Sequence, residues 1–508
     1  MGNFVQSLVQ LSNILWSTPI IVLLFGSSLY FTFRCKFVQV RDLRYQMSLL
    51  AKPTNGGDGI TPFEAFCNTC AYRIGNSNIS GVAIAVLVGG PGAVIWMVIC
   101  SLLNAALSYA ENSLGQVYKE DQDGVYTGGA YYYMQKGKGW KILPIIFAIL
   151  TVISVPILNP MPHANNVAGA FNTALGVPRI FTGCLVAVLL FIVISGGIKR
   201  IAKVATVVVP FMTIVYLSVT VITLILNYQR VPGMFADMIT SALGFNALYG
   251  ALLGNAVIWG VKRSVNSSGA GMAESLGSTS AAEVDHPGET GLVSSLTVFI
   301  DVAVCLCTGL LIMSTDCFNV QALDGSFLHL GEGAAVMAEY AKTGTADISW
   351  TQAALSTWLG NFGPIIVAMC LVFFSFTTNM NHYYQGEIAM RYIFRNATSS
   401  ARNMAIWALR IAMPLVYVYA AVANSNDMWS MGDLACGLLV WVNCIVLLIM
   451  GGDVIKVYND YQKQRRAGVK TPVFNPDKLG IKGAEFWMKH NKDKFAAVEA
   501  QLAKSGNK

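Results

Sequence analysis

Eleven stretches of this chain are apolar over lengths that match a lipid bilayer, and that pattern constrains the fold more than any motif does. A spanning helix needs about 20 mostly apolar residues. Candidates occur at about 13–33, 62–87, 93–117, 142–158, 180–196, 204–226, 246–282 (interrupted), 289–314, 363–390, 404–423 and 428–451. Lipid offers no partner to backbone N–H and C=O groups, so spans of this length are helices. Only 12% of the 508 residues are charged and 54% are hydrophobic, against about 25% charged in soluble domains. The expected fold class is an all-α polytopic membrane protein with 11 transmembrane helices.

Lys and Arg in the connections set the orientation. One alternating set of loops carries fifteen of them, including Arg34, Arg41, Lys119, Lys136, Lys199 and Arg391, and the opposite set only Arg179, Arg230 and Lys342. The N-terminus is expected outside and the tail with Arg465 and Arg466 in the cytoplasm, in the cell membrane. The net charge of +7 is then a topology signal, and no nucleic-acid partner is expected. Segment 13–33 lacks a basic leader and a small-residue cleavage site and is read as a retained helix. The eleven Cys are scattered, and Cys67 and Cys70 lie on an apolar segment with no second pair, which suits packing rather than a metal or disulfide framework.

Two spans are interrupted. Gly75-Asn76-Ser77-Asn78, with Gly81 beyond it, lies halfway along 62–87, and Gly260 to Gly271 interrupts 246–282 with Lys262 and Arg263 inside it. Irregular backbone at membrane depth is tolerated where it is buried or lines a wet cavity, so both breaks are candidate sites. Four whole spans separate them. This divides the chain into an extra N-terminal helix and basic linker (1–61), a first five-helix repeat (62–226), an external loop (227–245), a second five-helix repeat (246–451) and a basic cytoplasmic tail (452–508). Five spans per unit makes the second enter from the opposite side, the arithmetic of an inverted repeat whose broken helices meet at the midplane. Half-helix N-termini there suit an anion and C-terminal carbonyls a small cation.

Other polar residues lie at depth. Thr377 and Thr378 follow the apolar run 365–376; their hydroxyls either bond their own helix or complete an oxygen shell for a hard cation. Asp301 is a carboxylate in hydrocarbon, either a supporting group at a site or the partner of Arg73, Lys262 or Arg263. Pro156, Pro160 and Pro162 bend the fourth span around Asn159 and His163, and His163 is either a loop histidine at the outer mouth or a hydrogen-bonding pocket residue. Glu111 and Glu387, near helix ends, are expected to be solvated or paired. Gly89-Gly-Pro-Gly92 reads as a tight turn. No nucleophile and base, P-loop or metal-ligand spacing is present, so no enzyme activity is expected.

At these residues the chain resembles the alanine or glycine:cation symporter family, the sodium:alanine symporters. The resemblance is carried by Thr32-Phe-Arg34 with Phe37-Val-Gln-Val-Arg41, Gly75-x-x-Asn78-Ile-x-Gly-Val82, Gly89-Gly-Pro-Gly-Ala-Val94, Ala270-Gly-Met272, His286-Pro287, Val298-Phe-Ile-Asp301, Phe376-Thr-Thr378 and Asp460-Tyr461. It implies a LeuT-like 5+5 inverted repeat preceded by one extra helix, and sodium-driven uptake of a small neutral amino acid. By that analogy the N–H groups of Asn76 and Ser77 hold the substrate carboxylate, with Gly75 and Asn78 as their frame. Carbonyls of Ala71 and Ile74 with the hydroxyls of Thr377 and Thr378 hold sodium. The chain departs from the family at Asn76-Ser77, at His163, at Asn266 in place of an aromatic residue, at Gly269 in place of Glu, and at Ala273 in place of Gly.

The expectation is sodium-coupled symport of a small neutral amino acid or related zwitterion by alternating access, with no cofactor beyond the coupling ion. Substrate-binding residues are expected at Gly75, Asn76, Ser77, Asn78, His163, Asn266 and Ser267, and Asp301 supports them. Two other functions fit the same features: proton-coupled uptake of a different zwitterion, with His163 or Asp301 titrating, and a substrate sensor that does not transport.

Overall fold

The computed structural model describes residues 2–52, 59–122, 124–246 and 248–506. Its principal helices are α1 (Gly2–Leu15), α2 (Thr18–Arg34), α3 (Pro62–Arg73), α4 (Ser80–Gly89), α5 (Gly92–Val117), α6 (Leu143–Leu175), α7 (Arg179–Ile194), α8 (Gly197–Leu226), α9 (Val231–Ala242), α10 (Leu253–Ser268), α11 (Leu276–Ser280), α12 (Pro287–Ser314), α13 (Ile348–Leu359), α14 (Phe362–Ile393), α15 (Ser399–Val422), α16 (Ser425–Ile449) and α17 (Gly451–Arg466). Two short antiparallel hairpins, Glu120–Gln122 with Val125–Thr127 and Val320–Gln321 with Phe327–His329, are the only paired strands among the described residues.

Seven of these helices, α5, α6, α8, α12, α14, α15 and α16, are long and apolar enough to cross a membrane. The pair α1 and α2, bent by 44°, makes an eighth. The three remaining expected segments occur as shorter pieces: 62–87 as α3 and α4, 180–196 as α7, and 246–282 as α10 and α11. Helices α7, α8 and α15 turn Phe181, Val188, Phe211, Ile214, Ile411 and Leu415 outward, as a surface against hydrocarbon requires. Helix α5 lies inside, packed between α12 and α10.

The structure moves three expected boundaries. The fourth span does not stop at 158 but runs as α6 to Leu175. A π-turn at Ser154–Leu158 accommodates Pro156, with the Asn159 N–H donating to the Ser154 carbonyl (2.9 Å), and Pro160 opens the next turn, where its missing N–H is no loss. The second break does not begin at Gly260. Helix α10 continues through Lys262 and Arg263 to Ser268, because Asp433 neutralises both cations inside the helical frame. Finally, the 227–245 loop contains a helix, α9.

The C-terminal segment is folded against the membrane core. Trp487 donates its indole N–H to the carbonyls of Gln116 and Val117 (both 3.1 Å) in the last turn of α5. Asn491 donates to the carbonyls of Asp285 and Phe474, and His490 and Lys494 pair with Glu283 and Asp285. Beneath them Lys119 is buried, donating to the Ala282 carbonyl (3.1 Å) with Tyr126, Phe486 and Trp487 ringed around its ammonium.

Burial pushes the Lys119 ammonium down from 10.5 to about 7, with Glu283 and Asp285 opposing the shift. An exposed lysine keeps its proton throughout that window, so between about pH 7 and pH 10 the undocked chain binds more protons. Docking is therefore expected to strengthen as pH rises through the window and to weaken as pH falls through it, with no further change from Lys119 below about pH 7. Limited proteolysis of the tail at stepped pH checks this: cleavage should slow from pH 7 to pH 9, and Lys119→Met should flatten that portion of the profile.

Candidate substrate and ion site

The first break begins where the capping of α3 ends its influence. Thr61 and Glu64 cap one another's backbone, Pro62 takes the first helical position, and the helix runs to Arg73. Gly75 is extended, Asn76–Asn78 form one tight turn, and α4 restarts at Ser80. The Gly75 N–H donates to the Asn78 side chain (2.9 Å), and the Asn78 amide donates to Asp301 Oδ1 (2.6 Å). A Cβ on Gly75 would lie 3.0 Å from both His163 and Thr378, so glycine lets three elements converge here.

The second break lies at 269–275, with Gly269, Gly271 and Ala273 at φ +63°, +85° and +61°. Its backbone is satisfied by side chains of neighbouring helices. Glu111 accepts from the N–H groups of Gly271 and Ala273 (3.0 and 3.2 Å), Asn443 donates to the Gly271 carbonyl (3.0 Å), and Gln385 donates to that of Ala273 (3.0 Å). Glu111, expected to be solvated or paired with a cation, is instead fully buried as the clasp of this break, whereas Glu387 is paired with Arg391 and Arg410. Ala273 carries a conformation that costs an L-residue about 1–2 kcal/mol. Ala273→Gly is expected to stabilise the protein by about 1 kcal/mol, read as a raised unfolding temperature in detergent.

Between the breaks lies a small cavity of about 30 Å³. Of the expected substrate residues, Gly75, Ser77, His163 and Asn266 line it. Asn76 turns away, accepting from Asn166 (2.7 Å) and donating to the Pro162 carbonyl (3.4 Å). Asn78 and Ser267 stand behind the wall, joined through Asp301, whose second oxygen accepts from the Ser267 hydroxyl (3.2 Å). Asp301 thus ties the first break to the end of α10 through hydrogen bonds. The salt bridge to Arg73, Lys262 or Arg263 is not formed, because Arg73 donates to Ser108 and Ser294 and the other two are held by Asp433.

Of the expected ion residues, Thr378 meets the first break: its hydroxyl lies 2.8 Å from the Ala71 carbonyl and 3.4 Å from that of Ile74, and also 2.8 Å from the Phe374 carbonyl of its own helix. Thr377 does not join them. It is one residue, about 100° of helix, further round, and its hydroxyl bonds back to the carbonyls of Phe373 and Phe374 and touches Met212. His163 is no loop residue but part of α6, with its ring edge-on to that of His382 (5.7 Å).

Sequence reasoning missed several lining residues: Tyr72, Met272, Glu274, His382, Trp429, Asp433 and Cys436. Arg263 grips Asp433 with two parallel bonds (3.1 and 3.0 Å), Lys262 adds a third contact (2.7 Å) and Asn266 a fourth (2.7 Å), while Trp429 stacks on the guanidinium. Trp429 and Asp433 also line a larger cavity toward the start of α16, bounded by 343–347 and 424–426. The ion cluster is therefore the partition between the central space and that larger one. A charged pair read from both ends, Arg263 beside an acidic position on a late helix, is a signal a sequence holds only once the two helices are known to touch.

Comparison with known proteins bears on this geometry. The profile of the sodium:alanine symporter family matches residues 1–476. The sodium/alanine symporter AgcS of Methanococcus maripaludis is 32% identical, over 91% of this chain and 98% of its own. The probable sodium/glutamine symporter GlnT of Bacillus subtilis is 32% identical over 96% of this chain and 97% of its own. Among solved structures, that of MhsT in complex with L-phenylalanine superposes with a TM-score of 0.58 at 12% identity, covering 89% of this chain and 99% of that one. This likeness identifies the architecture as LeuT-like.

Proposed function

The chain belongs to the sodium:alanine symporter family, a multi-pass membrane transporter rather than an enzyme, and from that premise we propose that it imports a small amino acid or related zwitterion together with sodium. The observation that carries the reading is the convergence of Thr378 on the Ala71 and Ile74 carbonyls beside the cavity. Sodium takes those three oxygens, the hydroxyl turning to accept. The N–H groups of Asn76 and Ser77 open the short turn of the first break and hold the substrate carboxylate. The carboxylate completes the neighbourhood of the ion, which couples the two ligands.

In this reading the chain has eleven spans, an extra helix and two inverted fives, with both breaks at the midplane. The distribution of Lys and Arg supports an external N-terminus and a cytoplasmic tail. In that frame the Asp433 cluster is the outer gate, opening the central space to the outer cavity when its ion pairs part. The folded C-terminal segment covers the inner side, so transport exchanges one closure for the other.

A thermal-shift screen of amino acids with and without sodium tests the reading, since a ligand that binds the folded state raises its apparent stability. Sodium and substrate together should raise the transition more than the sum of each alone; additive or absent shifts would count against a shared site. Asp301, buried and bonded to the first break and to the end of α10, favours one second reading, in which a proton on that carboxylate replaces sodium. Shifts that follow pH and ignore sodium would select it.

A further inference from the structure

The central cavity holds one carboxyl group that neither the sodium site nor the ion cluster provides with a partner. Glu274 lies in the second break, 2% exposed, on the cavity wall. It accepts one hydrogen bond from the Asn159 amide and forms no ion pair among the described residues. The basic residues at this depth are engaged elsewhere, Lys262 and Arg263 with Asp433 and Arg73 with two serines. A carboxylate offers about four acceptor positions, and leaving a buried one so poorly partnered is costly unless something else brings donors. On the same wall, buried and without partners, stand His163 Nδ1, His382 Nδ1, Asn266 Oδ1 and Trp429 Nε1.

We infer that Glu274 selects substrates whose side chain ends in a carboxamide. The inference rests on the reading of this cavity as the substrate site of an amino-acid symporter. With the main chain held at the first break, the side chain extends toward the second, where the carboxylate accepts from an N–H. The side chain of alanine brings no donor and would leave Glu274 as it stands. An ammonium brings donors alone and leaves the Trp429 N–H without an acceptor, whereas a carboxamide supplies N–H for Glu274 and Asn266 and a carbonyl for Trp429 or a histidine. A site built to hydrogen-bond its substrate rejects analogues that lack the group far more strongly than an apolar pocket rejects a missing methylene.

The test is uptake into proteoliposomes under an inward sodium gradient, with asparagine, glutamine, alanine and lysine as probes. The wild type should prefer asparagine or glutamine over alanine by about tenfold or more in kcat/KM, and Glu274→Ala should reduce that ratio by a similar factor. Where Glu274→Ala fails to reach the membrane, Glu274→Gln, of the same shape but no charge, is read by the same ratio. Sodium-driven uptake with no amide preference, a preference for lysine, or a ratio that Glu274 variants leave unchanged overturns the inference while the symport reading stands. Absence of sodium-driven uptake of every probe overturns both.

Discussion

Asp433→Ala is expected to destabilise the protein by about 3–5 kcal/mol, because it strands Lys262 and Arg263 as buried cations. Desolvated charges of opposite sign tolerate loss of the whole cluster better than loss of one member. Replacing Lys262, Arg263 and Asp433 together by apolar residues of similar volume should therefore recover most of the unfolding temperature that Asp433→Ala loses. If the cluster is also the outer gate, the triple variant folds and yet fails to couple uptake to the sodium gradient. A triple variant that transports like the wild type would reduce the cluster to a structural ion pair.

Thr378→Ala is expected to weaken apparent sodium affinity by about tenfold or more, each tenfold corresponding to about 1.4 kcal/mol, since it removes the one side-chain oxygen that faces the Ala71 and Ile74 carbonyls. Substrate choice should change less, because the lining groups at the second break are untouched. Thr377→Ala supplies the internal control: its hydroxyl bonds the Phe373 and Phe374 carbonyls and touches Met212 rather than the first break, and sodium dependence should survive its removal. Equal losses in the two variants would mean that the ion sits elsewhere along α14. Flux measured against sodium concentration for the two variants side by side decides between these outcomes.

The sequence carried the parts of the fold that depend on local pattern. Apolar length located the spans, and Gly75 to Asn78 marked the first break because such residues at membrane depth have few other reasons to be there. The second break was placed nine residues early: Lys262 and Arg263 look like helix-ending charges until Asp433, 170 positions from Arg263, is known to face them. Distance along the chain likewise hid Glu274, 115 positions from Asn159, which reads as an ordinary acid before a short helix, and His382, which reads as a polar residue late in α14. Adjacent threonines could not be told apart by composition, since the helical turn that aims Thr378 at the break and Thr377 at Met212 is set by how α14 packs on α3. The prolines of α6 misled in the opposite direction, because a π-turn absorbs a residue that an α-helix cannot.

The central claim is that one cavity binds an amino acid and sodium together and moves them as a pair. Its most direct test is accumulation of labelled amino acid in proteoliposomes at equal internal and external pH, with the sodium gradient imposed inward, abolished or reversed. The account predicts uphill accumulation with the inward gradient, equilibration without it and net export when it is reversed. Accumulation that is indifferent to sodium and follows an imposed proton gradient would contradict it.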